Sequence, residues 1–539
     1  MKRQPIIVLI TLLLLAACTP VPARLQPAPV VIPTQEQEER QADPTPTTIP
    51  TPTAEPEPTE SPPTVEPEPE ISLPTGSLPA PTLFDFAWDD RSPFAAGLVS
   101  GEQATREQHP GASIYHIDLT ISDDLTRLDG REEVRYTNTE DVPLHDVHFR
   151  LFPNIQDGGI AISNITVDSE MVEASYEVEN SDLIVPLPQP LQPGEQVVIG
   201  MDFRVDVPTE SGGNYGIFAS VDDILTPAHF YPMIAVYDDE GWNVELTPPA
   251  GDPTYADTSY FLVRIDAPAG QTIVASGSET GREEQDGRQT ITIAAGPVRD
   301  FFFATSDRYE LVSETVGETK VNAYATSDLL AENDLALRYA TDALRIFNER
   351  YGLYPYTELD VVGTPTLAGG VEYPGLVVVA LAIYDPDLQF FESATAHEVG
   401  HQWFYNMVGN DQLDDPWLDE ALTQWATMMY YNDVYGQSGY DGARQGMDSR
   451  WSRVDYEDIP IGMPVAAYHD NEYGAIVYGR GPLFFEALRD VMGEETHEAF
   501  LRDYAQTFKW DIATPESFKT LAEEHCGCDL TPLFEEWVY

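Results

Sequence analysis

The sequence predicts an α+β protein of several domains, in which an antiparallel β-sheet domain precedes a mostly helical one. Three observations lead there. The chain has 539 residues, 42% of them hydrophobic, which is enough for two or three cores. From Ser113 to about residue 310, apolar residues recur at every second position in several short runs. After about residue 311 the apolar spacing becomes helical.

The first residues follow a different logic. Lys2 and Arg3 precede an apolar run from Ile6 to Ala17, which is too short for a membrane span and closes on Leu15-Ala16-Ala17-Cys18. Residues 1–17 read as a signal peptide ending in a lipobox. A diacylglycerol on Cys18 would then anchor the protein to a bacterial membrane or cell surface, with its body extracytoplasmic. Residues 18–82 are dominated by Pro, Thr and Glu, as in Thr53-Ala54-Glu55-Pro56-Glu57-Pro58-Thr59-Glu60. Such a segment has no side chains for a core and reads as a disordered stalk, with a reach of up to about 200 Å in polyproline geometry.

The charge balance is strongly acidic, with 28 Lys and Arg against 91 Asp and Glu for a net charge of −63. This argues against nucleic acid as a partner and against adhesion of the folded part to anionic lipid. Besides Cys18, the cysteines are Cys526 and Cys528. Two thiols do not make a disulfide framework. They either pair across Gly527 or stay reduced, and they lack further ligands for a second metal site.

Residues 83–310 are assigned to the β-sheet domain. Tyr115, Ile117, Leu119 and Ile121 alternate with polar residues, as do Val147, Phe149 and Leu151, and then Val197 to Val207 after a Pro193-Gly194 turn. Tyr260 to Ile265, Thr272 to Ala275 and Thr290 to Ala294 are further strand candidates. The histidines of this domain are expected on solvent-facing strand positions.

Residues 311–539 are assigned to the helical domain. Leu337, Ala340, Leu344, Phe347 and Tyr351 follow one helix face, and Gly352 supplies a stop. A short strand is expected at Asp360 to Val362. Gly369 and Gly370 then allow close backbone approach, and Glu372 stands alone among apolar and small residues. Farther on, His397 and His401 are four apart, so on a helix both imidazoles present to one cation, with Glu398 beside them as a base for a metal-activated water. Two histidines are too few to hold the ion. Glu420, in a second expected helix, supplies a third ligand for one zinc per chain. Asp415, followed by Pro416, reads as the cap of that helix.

The run His397 to Glu420, HEVGHQWFYNMVGNDQLDDPWLDE, resembles without a gap the zinc helix pair of the aminopeptidase N family, the gluzincin metallopeptidases. The resemblance implies a β-sheet domain on a thermolysin-like catalytic domain with a small sheet and a helical lobe. Gly369-Gly370-Val371-Glu372-Tyr373 matches the position of the family's Gly-Ala-Met-Glu-Asn motif and keeps its glutamate. By that resemblance Glu372 binds the free α-ammonium of a peptide, and the backbone at Gly369 and Gly370 lines the peptide as an extra strand.

Tyr478 resembles the family's catalytic tyrosine, which stabilises the oxyanion, and Tyr473 is its local competitor. The family's Tyr-Glu-Lys-Gly becomes Tyr478-Gly479-Arg480-Gly481. At Asp415 the family also has an aspartate, which would orient a zinc ligand as an alternative to capping. Leu225 to Pro232, where relatives carry a second amine-binding Gln or Glu, offers neither, and the chain stops soon after the catalytic domain, so an open site is expected. The expected function is a zinc-dependent aminopeptidase acting on peptides outside the cytoplasm. The rivals are a thermolysin-like endopeptidase and a non-catalytic surface-binding protein.

Overall fold

The computed structural model describes residues 83–248 and 251–539. The expected leader, Cys18 and the stalk lie outside the described residues. An N-terminal region rich in antiparallel sheet is followed, from residue 330 on, by helices. The largest sheet has eight strands in the order Ser278–Gln285, Arg288–Val298, Ser259–Pro268, Ser113–Ile121, Arg127–Thr137, Gln196–Asp206, Gly159–Val167 and Glu170–Met171. Within it the pair Ser113–Ile121 and Ser259–Pro268 runs parallel, and the other pairs are antiparallel. Two four-stranded sheets pack with it. One contains Leu144–Arg150, so Leu151 lies one residue past its expected strand, and the other contains Ile224–Pro227.

The histidines of this region depart from the expectation of solvent-facing positions. His116 is buried and stacks on Trp88 with ring centroids 4.2 Å apart. The reason lies in the segment ahead of the first strand: Leu83, Trp88 and Phe94 pack with Ile114, Tyr260 and Leu262, so the second face of the strand is covered as well. Alternation shows which residues share a face, but it does not show that the polar face stays wet. His229 is also buried, between Thr254 at 2.7 Å and Asp300 at 3.0 Å. His148 is half-buried against Asp182 at 3.0 Å, and His145 is exposed.

The helical part is built on a five-stranded sheet in the order Tyr309–Val316, Thr319–Thr326, Glu358–Thr364, Leu376–Ala380 and Gly370–Val371. Its three middle strands are parallel and largely buried, as strands covered on both faces must be. Helix α1 (Leu330–Tyr351) crosses between the second and third strands and buries Leu337, Ala340, Leu344, Phe347 and Tyr351. It stops where Gly352 takes φ 111°, a region that side chains disfavour. Helices α2 (Gln389–Gly400) and α3 (Leu422–Tyr435) follow, and the ring of Phe347 meets Trp403 edge-on at 5.8 Å, fixing α1 to the end of α2. Cys526 and Cys528 form a disulfide.

One buried group works against stability. Glu132 lies on the inward face of Arg127–Thr137 with Leu128 and Val134, is fully buried, and has no hydrogen-bond partner among the described residues on either oxygen. Burial raises its pKa well above the ordinary 4.5. The unfolded chain therefore loses this proton first, and the penalty on the folded state grows as pH rises above 4.5. Glu132→Met should add about 1–3 kcal/mol at neutral pH, because an unpaired polar group leaves the core. Urea melts of both proteins between pH 4 and 8 test this, and parallel stability curves would show that Glu132 carries no such penalty.

Candidate active site

Helix α2 places His397 and Glu398 in its last turn, and His401 follows as its cap, with its amide bonded to the His397 carbonyl. Their register on one face brings the two Nε2 atoms to 3.1 Å from each other. Glu420 arrives from a π-helical turn, Trp417–Ala421, that opens α3. Its Oε2 lies 3.0 Å from His397 Nε2 and 3.4 Å from His401 Nε2. All three side chains are buried. His401 Nδ1 faces the Phe404 carbonyl at 2.9 Å, which places a proton on Nδ1 and turns Nε2 toward Glu420 as the nitrogen that a metal would take.

Two imidazole nitrogens and a carboxylate oxygen, all within 4.8 Å of one another, form a donor set that fits a zinc ion. The electrostatics agree with a cation at this point. Burial drives His397 down to about 4. Burial also opposes charge on His401, but Glu372, Glu420 and Glu398 outweigh it and raise His401 well above its ordinary value. Burial would raise Glu420, yet His401 and His397 hold it well below the carboxylate range. The pocket has more carboxylates than its own side chains neutralise.

The turn around Glu420 is held from outside. Asp419 accepts from Asn410 at 3.2 Å and from Gln412 at 2.7 Å, and also takes the Glu420 amide at 2.9 Å. Gln412 in addition donates to Glu372 at 3.1 Å, so one amide ties the Glu420 turn to the Glu372 strand. Asp415 does not cap this element: the turn begins after Pro416 and has no side-chain cap, because the chain enters it as a π-turn rather than as an α-helix. Burial, Asp411 and Asp414 push Asp415 up to about 7. The orienting carboxylate beside Glu420 is Asp419.

Glu372 follows the terminal strand Gly370–Val371 and is buried, and its carboxylate groups with Glu398 and His401. Gln402 fixes the following turn by accepting from the Gly375 amide at 2.9 Å and donating to the Tyr373 carbonyl at 3.1 Å. Gly370 has a steric role: a Cβ there would lie 2.4 Å from both Cγ and Oε1 of Glu398, so the side chain packs directly on the strand backbone. Burial raises Glu398 well above its ordinary value, and Glu372 and Glu420 add to the shift.

Tyr478 donates its hydroxyl hydrogen bond to the Glu420 carboxylate, while Tyr473 packs edge-on against the Tyr478 ring at 5.6 Å. Arg480 points away from the site and donates to the carbonyls of Ile459, Glu536 and Trp537. Gly479 has no room for a side chain, since a Cβ would lie 2.8 Å from the Trp451 amide nitrogen. The site also includes a residue that sequence reasoning passed over. Asp252, in irregular chain within the sheet domain ahead of the strand Ser259–Pro268, reaches the Glu420 carboxylate, and its pKa is raised by burial and then by Glu372 and Glu420. No periodicity marks it.

Residues 335–537 match the Peptidase family M1 domain. The chain is 21% identical over 454 residues to endoplasmic reticulum aminopeptidase 2 of Homo sapiens, covering 76% of this chain and 44% of that protein. It is 24% identical over 311 residues to aminopeptidase 2 of Candida albicans, covering 53% and 33%. The chain thus spans less than half the length of these relatives. The M1 zinc metallopeptidase of Deinococcus radiodurans superposes with a TM-score of 0.62 at 20% identity, covering 79% of this chain and 93% of that one. Residues 335–537 thus match a peptidase family M1 domain, and the chain is similar in sequence to aminopeptidases and in fold to an M1 zinc metallopeptidase.

Proposed function

We propose that the protein is a zinc-dependent aminopeptidase that removes N-terminal residues from peptides. The observation that carries this reading is the convergence of His397, His401 and Glu420 between two further carboxylates, Glu398 and Glu372. In this reading the first three hold one zinc, which when bound supplies a Lewis acid and lowers the pKa of water to about 7. Glu398 takes the proton of the attacking water and passes it to the leaving amine as the C–N bond breaks. Tyr478 donates to the carbonyl oxygen as negative charge builds there. Glu372, oriented by Gln412, holds the substrate α-ammonium and so counts one residue from the N-terminus.

The proposed division places the β-sheet domain at residues 83–310 and the catalytic domain at 311–539. We further propose that the body lies outside the cytoplasm on a lipid attached to Cys18, with residues 1–17 as leader and 18–82 as stalk. The Leu15-Ala16-Ala17-Cys18 sequence supports this, as does the Cys526–Cys528 disulfide, which suits an oxidising compartment.

The reading is tested with aminoacyl fluorogenic substrates, with and without a chelator, against N-acetylated peptides. Turnover should need metal and a free ammonium, and equal cleavage of acetylated peptides would exclude the aminopeptidase assignment. Purified protein should contain about one zinc per chain. Glu420→Gln should weaken zinc binding by at least about tenfold, and unchanged metal content in both Glu420→Gln and His401→Ala would refute the ligand set.

Glu398→Gln should keep its zinc and lose about 10²–10⁴-fold in kcat, since an amide accepts no proton. Tyr478→Phe should lose about 10²–10³-fold, and a normal rate there with a crippled Tyr473→Phe would move the role to Tyr473. Gly370→Ala pushes the Glu398 carboxylate off its seat. It should lower kcat about 10²-fold with zinc content retained, so a full rate would show that Glu398 has room to move.

A further inference from the structure

On a chain whose 28 Lys and Arg face 91 Asp and Glu, Arg450 stands beside the proposed catalytic groups. Helix α4 (Gln437–Trp451) brings it there, ending against the π-helical turn Ile476–Arg480 that carries Tyr478. Gly479 permits the approach, because a Cβ there would lie 2.9 Å from the Cβ of Arg450. With no side chain at this glycine, the turn also brings no acid to the place. The Arg450 guanidinium lies 5.7 Å from the centre of the Tyr478 ring, within cation–π range. The same ring is 6.0 Å from that of His397, and its hydroxyl reaches Glu420.

The fold leaves Arg450 uncommitted. It is half-buried, and its one hydrogen bond among the described residues is a long one of 3.5 Å to the Tyr478 carbonyl. Nearby arginines are engaged: Arg444 on the same helix pairs with Glu486 at 2.8 Å, and Arg480 is buried on three backbone carbonyls. Among the described residues Arg450 forms no ion pair, and Arg453, three positions on, is exposed and forms none either. Burial lowers Arg450 from its ordinary value and Arg453 adds to this, while Tyr478 and Glu420 oppose it. Two like charges left together cost free energy that an arriving anion recovers. The pocket therefore has a direction. Glu372 groups with Glu398 and His401 at one end, and the free cation lies at the other, on the side of His397 and Tyr478.

We propose that Arg450 binds a carboxylate of the substrate on the leaving-group side of the scissile bond. An ammonium at Glu372 and a carboxylate at Arg450 are the two charged ends of a short peptide, so the substrate class is a short zwitterionic peptide. A guanidinium takes a carboxylate through two parallel N–H···O bonds, which fix its orientation as well as its charge. An aspartate or glutamate side chain just after the scissile bond offers the same chemistry. This rests on the aminopeptidase reading, because Glu372 gives the peptide its direction.

The test uses the zinc-loaded full chain with alanyl-alanine, trialanine and tetraalanine, each as the free acid and as the C-terminal amide. In at least one pair kcat/KM for the acid should exceed that for the amide by about tenfold or more, equivalent to ~1.4 kcal/mol, mainly through KM. Alanyl-glutamyl-alanine amide against trialanine amide reports the side-chain source in the same way. In Arg450→Gln the large ratio should fall toward one, whereas Arg450→Lys should keep part of it, a rescue that a purely structural role would not give. Ratios below about twofold for both sources, or a large ratio unchanged in zinc-loaded Arg450→Gln, overturn the carboxylate site and leave the aminopeptidase reading in place. Where the glutamine variant loses its fold, a ratio unaltered in Arg450→Lys overturns the site as well. Cleavage of N-acetyl-trialanine at the rate of trialanine removes the amine anchor and, with it, both proposals.

Discussion

The arrangement of this protein depends on one meeting point, where the Glu420 carboxylate lies against the Nε2 atoms of His397 and His401. Burying a carboxylate and two imidazoles costs several kcal/mol unless they are paired or hold an ion. The surrounding fold is arranged to keep them there. Helix α1 locks the end of α2 through Phe347 and Trp403, the π-turn tilts Glu420 toward α2, and Asp419 holds that turn through Asn410 and Gln412. A regular α-helix from Pro416 would rotate Glu420 away from the histidines, so the extra residue per turn is a geometric requirement.

The same network reaches Glu372, just past the terminal strand Gly370–Val371. Gln412 binds Asp419 with the same amide nitrogen that it offers Glu372, and Gln402 clamps the turn behind it. The groups on α2, on the π-turn and on the sheet edge are therefore positioned relative to one another by neutral amides rather than by charged pairs. That choice suits a pocket already rich in carboxylates. A lysine or arginine there would neutralise Glu372 or Glu420, whereas an amide orients them and leaves their charge for a ligand.

How much of this was legible in the sequence follows from which interactions are local. The His397–His401 spacing and the helix of Leu337 to Tyr351 are properties of one turn repeated, so periodicity reveals them. The strand pattern from Tyr115 to Ile121 is equally local. What cannot be read from periodicity is what another segment does to a face. His116 is buried because residues 83–112 cover the second side of its strand, and Asp415 fails to cap because the next five residues form a π-turn. Asp252 was missed for the same reason: it lies in irregular chain, and its proximity to Glu420 is purely tertiary. Asp419, next to Glu420 in sequence, needed only the question of what orients a ligand.

The steric fit between Gly370 and Glu398 shows how this buried carboxylate and the sheet edge constrain each other. Where the family motif has Ala, this chain has Gly, and the structure fills the vacated volume with the Glu398 side chain. The Glu398 carboxylate therefore sits closer to the strand backbone than a Cβ at residue 370 would permit. A peptide lying along that edge would meet the carboxylate at the strand itself, with little space left between them. In such a site, specificity must come from residues farther along the edge or across it, because Gly369 and Gly370 beside Glu398 offer only backbone.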